Sequence, residues 1–492
     1  MKLKRRLILG LILLTLILPA GLAKTNSPWP IVPPEDVGMD SSGLIKLLKF
    51  LNNPKLHTHS IIMIRDGKLV TEGYFYPYRR STLHNIYSCT KSVVNILTGI
   101  AFDQGYLESV HQELGEFFPE LKTSAPEKSK ITIRDLLTMR SGLKYTHGDT
   151  NDEMMKSPNW IRFILSLPLC YQPGAHYNYS DCDVQLLAAV LQKTTGKSLA
   201  EYADKNLFSP LNITDYFWPA DPQGIQHGFS DLSLNSLDMA KLGDLYLNTG
   251  CWNERQIVSS DWVKESTRTQ TYEENKGYGY LWWMENGGFA ARGSGGQFIF
   301  VMPQAKVVTV CTYGLDNTDK NNGTYLPNDI RETCFKSNST IPANPVAYQE
   351  LNQLLRSIEA PPTEKSRISP IAEKILGRTY RLSPSKQGLN SIAFLPDQEN
   401  MIKIRLKINH SVLEFPVSIN NRFTEIPNYP FFRGDTVFIQ GYWKDNQTLD
   451  IIFEMGERRV LTCEFNETAS NIMLTLIECG EIDFFQLKGT AQ

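Results

Sequence analysis

A chain of 492 residues, 41% hydrophobic and 11% aromatic, has more apolar material than one ordinary domain buries, so two folded units are expected. Its 50 basic and 52 acidic residues are evenly spread and leave a formal net charge of -2, which excludes the basic field that nucleic acid or an anionic bilayer surface requires.

The first element is a leader. Residues 1–23, MKLKRRLILGLILLTLILPAGLA, set Lys2, Lys4, Arg5 and Arg6 ahead of a Leu and Ile run that ends in the small residues Gly21 and Ala23, as a cleavable signal peptide does. The apolar run is short for a bilayer span, so export to the periplasm or the exterior is expected, with membrane anchoring only if the segment stays uncleaved. Of the eight cysteines, Cys463 and Cys479 stand alone late in the chain and are a candidate pair, whereas Cys89 and Cys311 sit in apolar contexts that suit buried free thiols. Neither CxxC nor HExxH spacing occurs, so no metal site and no cofactor are expected.

Residues 24–340 read as one catalytic unit. SSGLIKLLKFLNN carries Leu44, Ile45, Leu47, Leu48 and Leu51 at helical spacing, and SIIMIRDGKLVTEGYFY reads as two strands joined by a tight turn at Asp66-Gly67. From Ser88 a helix follows in which Val93, Val94, Ile96, Leu97 and Ile100 make the pattern too apolar for a surface helix. A mostly helical layer runs to about Gly250, and the Gly-rich stretch from Gly277 to Gly314 then reads as a three-strand meander. Paired with the early hairpin it would complete an antiparallel five-stranded sheet packed with helices, an α/β (α+β) architecture. Residues 341–370, rich in proline around a short helical pattern, read as a linker. Residues 371–492 alternate as in MIKIRLKI and read as a C-terminal all-β domain, a small barrel or sandwich.

Three Ser-x-x-Lys spacings occur, at Ser88-Lys91, Ser141-Lys144 and Ser383-Lys386, and only the first opens an apolar helix. There the hydroxyl and the amine share one face, one turn apart, and the helix start offers free N–H groups to a developing oxyanion. Burial should lower the lysine toward neutrality so that it can serve as a base. A second constellation, Tyr177-Asn178-Tyr179-Ser180-Asp181, follows the turn Pro173-Gly174, and a third, Arg292-Gly293-Ser294-Gly295-Gly296-Gln297, opens a strand where missing side chains let a substrate approach the edge. His84 and His176 neighbour these motifs and are candidates to line the cleft.

In order and spacing the three motifs resemble those of the serine β-lactamases and penicillin-binding proteins, S-x-x-K, Y-x-N and K-T-G or H-x-G. PGAHYNYSD, LNSLDMAKLGDLYLNTGCW, GYGYLWW and GSGGQFIFVMP bring the chain closest to the β-lactamase-related esterases, D-peptidases and 6-aminohexanoate-oligomer hydrolases over about residues 30–315. The resemblance implies the β-lactamase/transpeptidase-like fold, with Ser88 as acylated nucleophile, Lys91 as its base and Tyr179 as proton relay. It makes the N–H groups of Ser88 and Gly296 an oxyanion hole and puts Asp181, Gly293, Ser294 and Gly295 at the substrate. Two departures stand out: Asp181 replaces the asparagine of Y-x-N and would hold Lys91 charged if close, and Gly293 replaces the cation that grips a substrate carboxylate.

The departures favour an exported serine hydrolase acting on a small ester or amide. The alternatives are a D-amino-acid peptidase or penicillin-binding protein acting on cell-wall peptides, and a binding or sensor module of the same fold with weakened turnover. The expected partner is a small-molecule ester, amide or peptide.

Overall fold

The computed structural model describes residues 27–273, 276–315, 334–362, 369–386, 388–398, 400–420, 422–426, 436–454, 458–478 and 481–492. The leader therefore lies outside the described residues, as does Cys479. Among the described residues no helix is long and apolar enough to cross a membrane. Cys89, Cys311 and Cys463 are all buried free thiols.

Helix α1 (Ser41–Leu51) starts on an Asp40 cap, whose carboxylate accepts from Ser42 N at 2.9 Å. Strands β1 (Thr58–Arg65) and β2 (Lys68–Tyr74) are joined through Asp66 at φ 49° and Gly67 at φ 67°. Both residues of that turn are left-handed, the twist a two-residue hairpin needs and the reason Asp-Gly marks it in the sequence. Five further strands complete the meander region and one precedes it: β3 (Thr271–Glu273), β4 (Lys276–Tyr278), β5 (Trp283–Glu285), β6 (Gly288–Gly293), β7 (Gln297–Met302) and β8 (Val307–Tyr313). The antiparallel sheet runs β2-β1-β8-β7-β6-β5-β4-β3. The five strands expected from the sequence form its body. The sheet is wider than five because β3, β4 and β5, only three residues each, are too short to show alternation.

Both faces of the sheet are covered. Ile62, Ile64, Ile299, Val301, Val308 and Val310 join one core with helices α2 (Cys89–Asp103), α3 (Asp181–Thr195) and α4 (Ser236–Leu247). Their alternates Ile61, Met63, Phe298, Phe300 and Cys311 join a second core with α1. Every residue of β1 is consequently buried, which explains an unbroken apolar run where a half-exposed strand would alternate. On α4, a Cβ at Gly243 would lie 2.6 Å from Val308 Cγ1, so glycine lets this helix sit directly on β8.

The stretch read as a linker contains α5 (Pro345–Glu359), which lies on α1 and β2 through Ala347, Leu351 and Ile358. Asn344 caps it, accepting from Ala347 N at 3.2 Å. Pro345 thus occupies the first helical position, where its missing N–H costs nothing, and does not break the segment.

Beyond it, among the described residues, ten strands between Arg378 and Ala491 form one sheet with antiparallel neighbours, and a parallel bridge from Ser418 to Gln440 closes nine of them into a barrel, leaving Thr424–Ile426 at the edge. Phe394, Phe415, Trp443, Ile451, Phe465 and Leu474 are part of its core. It meets the eight-stranded sheet domain at Phe423, whose N–H donates to Tyr76 Oη at 2.8 Å, and at Arg79–Glu425 at 3.1 Å.

Because Leu351 is 1% exposed and fills the core beneath the sheet, Leu351→Ala should cost about 2–4 kcal/mol in urea unfolding. A midpoint equal to wild type would mean that α5 is only a tether.

Candidate active site

Ser88 stands immediately before the first residue of α2. Tyr87 before it adopts φ 45°, a left-handed backbone that non-glycine residues seldom take. The turn is braced by Asn85, whose Oδ1 accepts from Tyr87 N at 2.8 Å, and by Thr90, whose Oγ1 donates to the Tyr87 carbonyl at 2.6 Å. His84 in turn pairs with Leu234, and Asn85 with Ser233. A strained turn held this firmly keeps the serine half-buried at the core edge while α2 lies inside.

One turn further, Lys91 is 1% exposed. Its Nζ donates to Ser88 Oγ at 2.8 Å and to the Phe229 carbonyl at 2.8 Å, and lies 2.6 Å from Asp181 Oδ1. Two of its hydrogens are thus donated, and the Asp181 carboxylate supplies the opposing charge. Burial acts to lower the Lys91 pKa, but the charge of Asp181, and after it Tyr179, outweighs burial and raises it. The neutral resting amine expected from burial alone is therefore corrected to an ammonium. The reason is the asparagine-to-aspartate departure at residue 181.

Asp181 is the first residue of α3, behind the Ser180 cap. Its own burial would raise its pKa, yet Lys91 prevails and the pKa is lowered. Asn151 Nδ2 and Tyr145 Oη, the latter at 3.1 Å, donate to its second oxygen. At 3% exposed the carboxylate faces the lysine beneath the cleft and is not open to a ligand. Two residues on, Asp183 takes Ser141 Oγ at 2.7 Å, and burial pushes its pKa up to about 7.

Tyr179 arrives from the loop before α3. Its ring centroid lies 4.8 Å from Lys91 Nζ, and it stacks on Trp283 at 5.6 Å. Burial raises the phenol, and the neighbouring Lys91 pulls it the other way without prevailing. A cavity of about 770 Å³ opens beside Tyr179 and Trp283, with Arg140 and His176 also on its walls. His84 lies elsewhere, buried against His59 at 2.7 Å. A cavity of about 980 Å³ among Leu121, Lys128, Leu165 and Lys193 holds none of the motif residues.

The Gly-rich motif closes the other side. Gly293 ends β6 against the serine turn: a Cβ there would lie 2.4 Å from the Ile86 carbonyl and 3.2 Å from Ser88 N. Any side chain at this position would meet the backbone of the serine turn. Gly295 and Gly296 follow at φ 71° and 91°, turning the chain into β7, and Leu315 N donates to the Gly295 carbonyl at 3.0 Å. Ser294 lies in this turn, and its carbonyl accepts from Gln297 Nε2 at 3.2 Å. Arg292, next to Gly293, is committed to Glu285 at 2.6 Å. The structure thus brings together Ser88, Lys91, Tyr179, Asp181 and the 293–296 turn. Sequence reasoning passed over Tyr145, Asn151 and the Phe229 carbonyl, residues that carry no motif.

An antiparallel sheet packed with helices around a Ser-x-x-Lys helix defines the class. A Bacteroides dorei protein provisionally named a beta-lactamase shares the fold, with a TM-score of 0.52 at 16% identity over 60% of this chain and 99% of that one. The chain belongs to the beta-lactamase family of serine hydrolases, whose profile matches residues 49–324. An uncharacterized protein of Alkalihalophilus pseudofirmus is 24% identical over 297 residues, 51% of this chain and 82% of that protein. A protein of Salmonella agona provisionally named D-alanyl-D-alanine carboxypeptidase is 24% identical over 233 residues, 40% of this chain and 53% of its own length.

A methyl group at residue 293 meets backbone, so Gly293→Ala should cost about 1–3 kcal/mol and move the serine turn. Unchanged thermal midpoint and unchanged acylation of Ser88 would show that the turn has room.

Proposed function

We propose that the chain hydrolyses a small ester or amide through an acyl-enzyme on Ser88. The observation that carries this reading is the 2.8 Å bond from Lys91 Nζ to Ser88 Oγ at the start of a buried helix. As Oγ bonds to the substrate carbonyl carbon, its proton passes to Lys91 Nζ, which must already have lost one to solvent, since Asp181 at 2.6 Å holds the resting amine charged. The carbonyl oxygen takes the negative charge and turns to the N–H groups of Ser88 and Gly296. Tyr179 gives its phenol proton to the departing oxygen or nitrogen and recovers one from Lys91. Water then repeats the sequence on the acyl-serine.

Two other readings each have an observation behind them. Likeness to the Salmonella relative supports a peptidase on D-amino-acid peptides, for which slow-released labelling of Ser88 by a fluorescent penicillin is the sign. The charged resting lysine supports a binding module, for which failure of a fluorophosphonate to label Ser88 is the sign.

Ser88→Ala should abolish turnover of p-nitrophenyl butyrate, and an unchanged rate would end the assignment. A second outcome concerns pH. Because Asp181 raises Lys91, the neutral amine grows only as pH increases, so kcat/KM should climb through the alkaline range. Asp181→Asn removes the raising charge and leaves burial, so the climb should move down by about 1–3 pH units. A pH profile that Asp181→Asn leaves in place would show that Lys91 is not the titrating base.

A further inference from the structure

The backbone that receives Lys91 and the turn that carries Ser88 are tied to each other through one side chain. Lys91 Nζ donates to the Phe229 carbonyl at 2.8 Å, and Phe229 stands midway in residues 227–231. The ends of that segment meet, since His227 Nδ1 lies 2.9 Å from Asp231 Oδ2, and the His227 ring stacks on Phe229 at 5.8 Å. Helix α3, which supplies Asp181, also anchors the segment: Gln185 Oε1 accepts from Gly228 N at 2.8 Å, and a Cβ on Gly228 would lie 2.6 Å from the Val184 carbonyl oxygen. The carbonyl that receives the ammonium is thus registered on the helix that carries its counter-charge.

Asp231 turns its other oxygen to the nucleophile. Oδ1 accepts from Asn85 Nδ2 at 3.2 Å, and Asn85 Oδ1 is the atom that accepts from Tyr87 N at 2.8 Å. The residues that follow repeat the link through backbone, Ile86 N donating to the Leu232 carbonyl at 2.9 Å. Asp231 is 4% exposed and adopts φ 69°, so two left-handed residues other than glycine, Tyr87 and Asp231, are joined through one asparagine. Such conformations persist where the surroundings over-determine them, and they gather at sites that need a fixed geometry. We infer that Asp231 is a positioning residue that sets Ser88 and Lys91 relative to one another, because one carboxylate holds both the turn that aims the hydroxyl and the turn that offers a carbonyl to the amine. The inference rests on the hydrolase reading for its effect on turnover, but not for its effect on Lys91.

Releasing the tie lets the Phe229 carbonyl move off Lys91. A hydrogen bond to the charged form favours that form, so its loss should lower the pKa of the lysine. The other titratable groups that face Lys91, Asp181 of α3 and Tyr179 ahead of it, keep their places. Asp231→Ala should therefore lower kcat on p-nitrophenyl butyrate about 10- to 100-fold with KM within about twofold of wild type. In the same protein the pH at which Lys91 loses its proton, followed by NMR at Nζ, should fall by about half a unit or more. Asp231→Asn still accepts from Asn85 at Oδ1 and donates to His227 Nδ1 from Nδ2, so it should bring kcat back to within about threefold of wild type and restore the Lys91 titration. His227→Ala cuts the tie at its other end and should reproduce the shift, which serves where Asp231→Ala does not fold. A wild-type kcat in Asp231→Ala, or a Lys91 titration that neither variant moves, overturns the inference. A titration that moves as expected, in a protein whose wild type turns over no ester or amide, would instead overturn the hydrolase reading and leave the assignment of Asp231 standing.

Discussion

The contact between Lys91 and Asp181 governs the chemistry available to this chain. Each is buried, and each alone would neutralise: the amine by losing a proton, the carboxyl by gaining one. At 2.6 Å they hold one another ionised; Lys91 also donates to Ser88 and to the Phe229 carbonyl, and Asn151 and Tyr145 donate to the second oxygen of Asp181. A buried pair of this kind is weak evidence for stability, because a hydrophobic pair of equal volume often does as well. Its meaning is positional and electrostatic. It places the ammonium on Ser88 Oγ and ties the charge of the amine to the carboxylate.

The sheet allows that arrangement by burying both of its faces. With α2, α3 and α4 against one side, the starts of α2 and α3 converge, so Ser88 and Lys91 of one helix meet Asp181 of the other. Strand β6 then delivers Gly293 to within 3.2 Å, by added Cβ, of Ser88 N. The loss of a cation at this position and the close approach of backbone to the serine turn are one fact seen twice. A side chain at 293 would have to push the turn away.

Much of this was legible in the sequence. Asp66-Gly67 marked the hairpin because only left-handed residues suit its turn, and Ser88-Lys91 was separated from two chance matches by the apolar helix it opens. Ser141, by contrast, is fixed on Asp183 and Lys144 is exposed. What remained hidden depended on distance. Whether Asp181 reached Lys91 could not be read from spacing, since the two lie on different helices, and so the direction of the lysine's shift depended on a tertiary contact. Tyr145, Asn151 and the Phe229 carbonyl act only through where they end up. Helix α5 was obscured for a local reason: prolines on both sides of it look like a tether, although Pro345 starts the helix.

The same kind of tertiary relation joins the barrel to the serine turn. Tyr78 stands between Phe438 of the barrel, 5.1 Å away, and His59 of β1, on which it stacks at 3.7 Å. His59 Nδ1 meets His84 Nε2 at 2.7 Å, and His84 Nδ1 meets the Asn85 carbonyl at 2.8 Å. A carbonyl only accepts, so His84 carries its hydrogen on Nδ1 and accepts at Nε2, and His59 must donate from Nδ1. Burial keeps both rings neutral, lowering His84 to about 4, which fixes the direction of the whole chain of bonds. It ends at Asn85, the residue whose side chain holds Tyr87 in its left-handed conformation. The C-terminal barrel thus abuts the scaffold that holds the turn before Ser88.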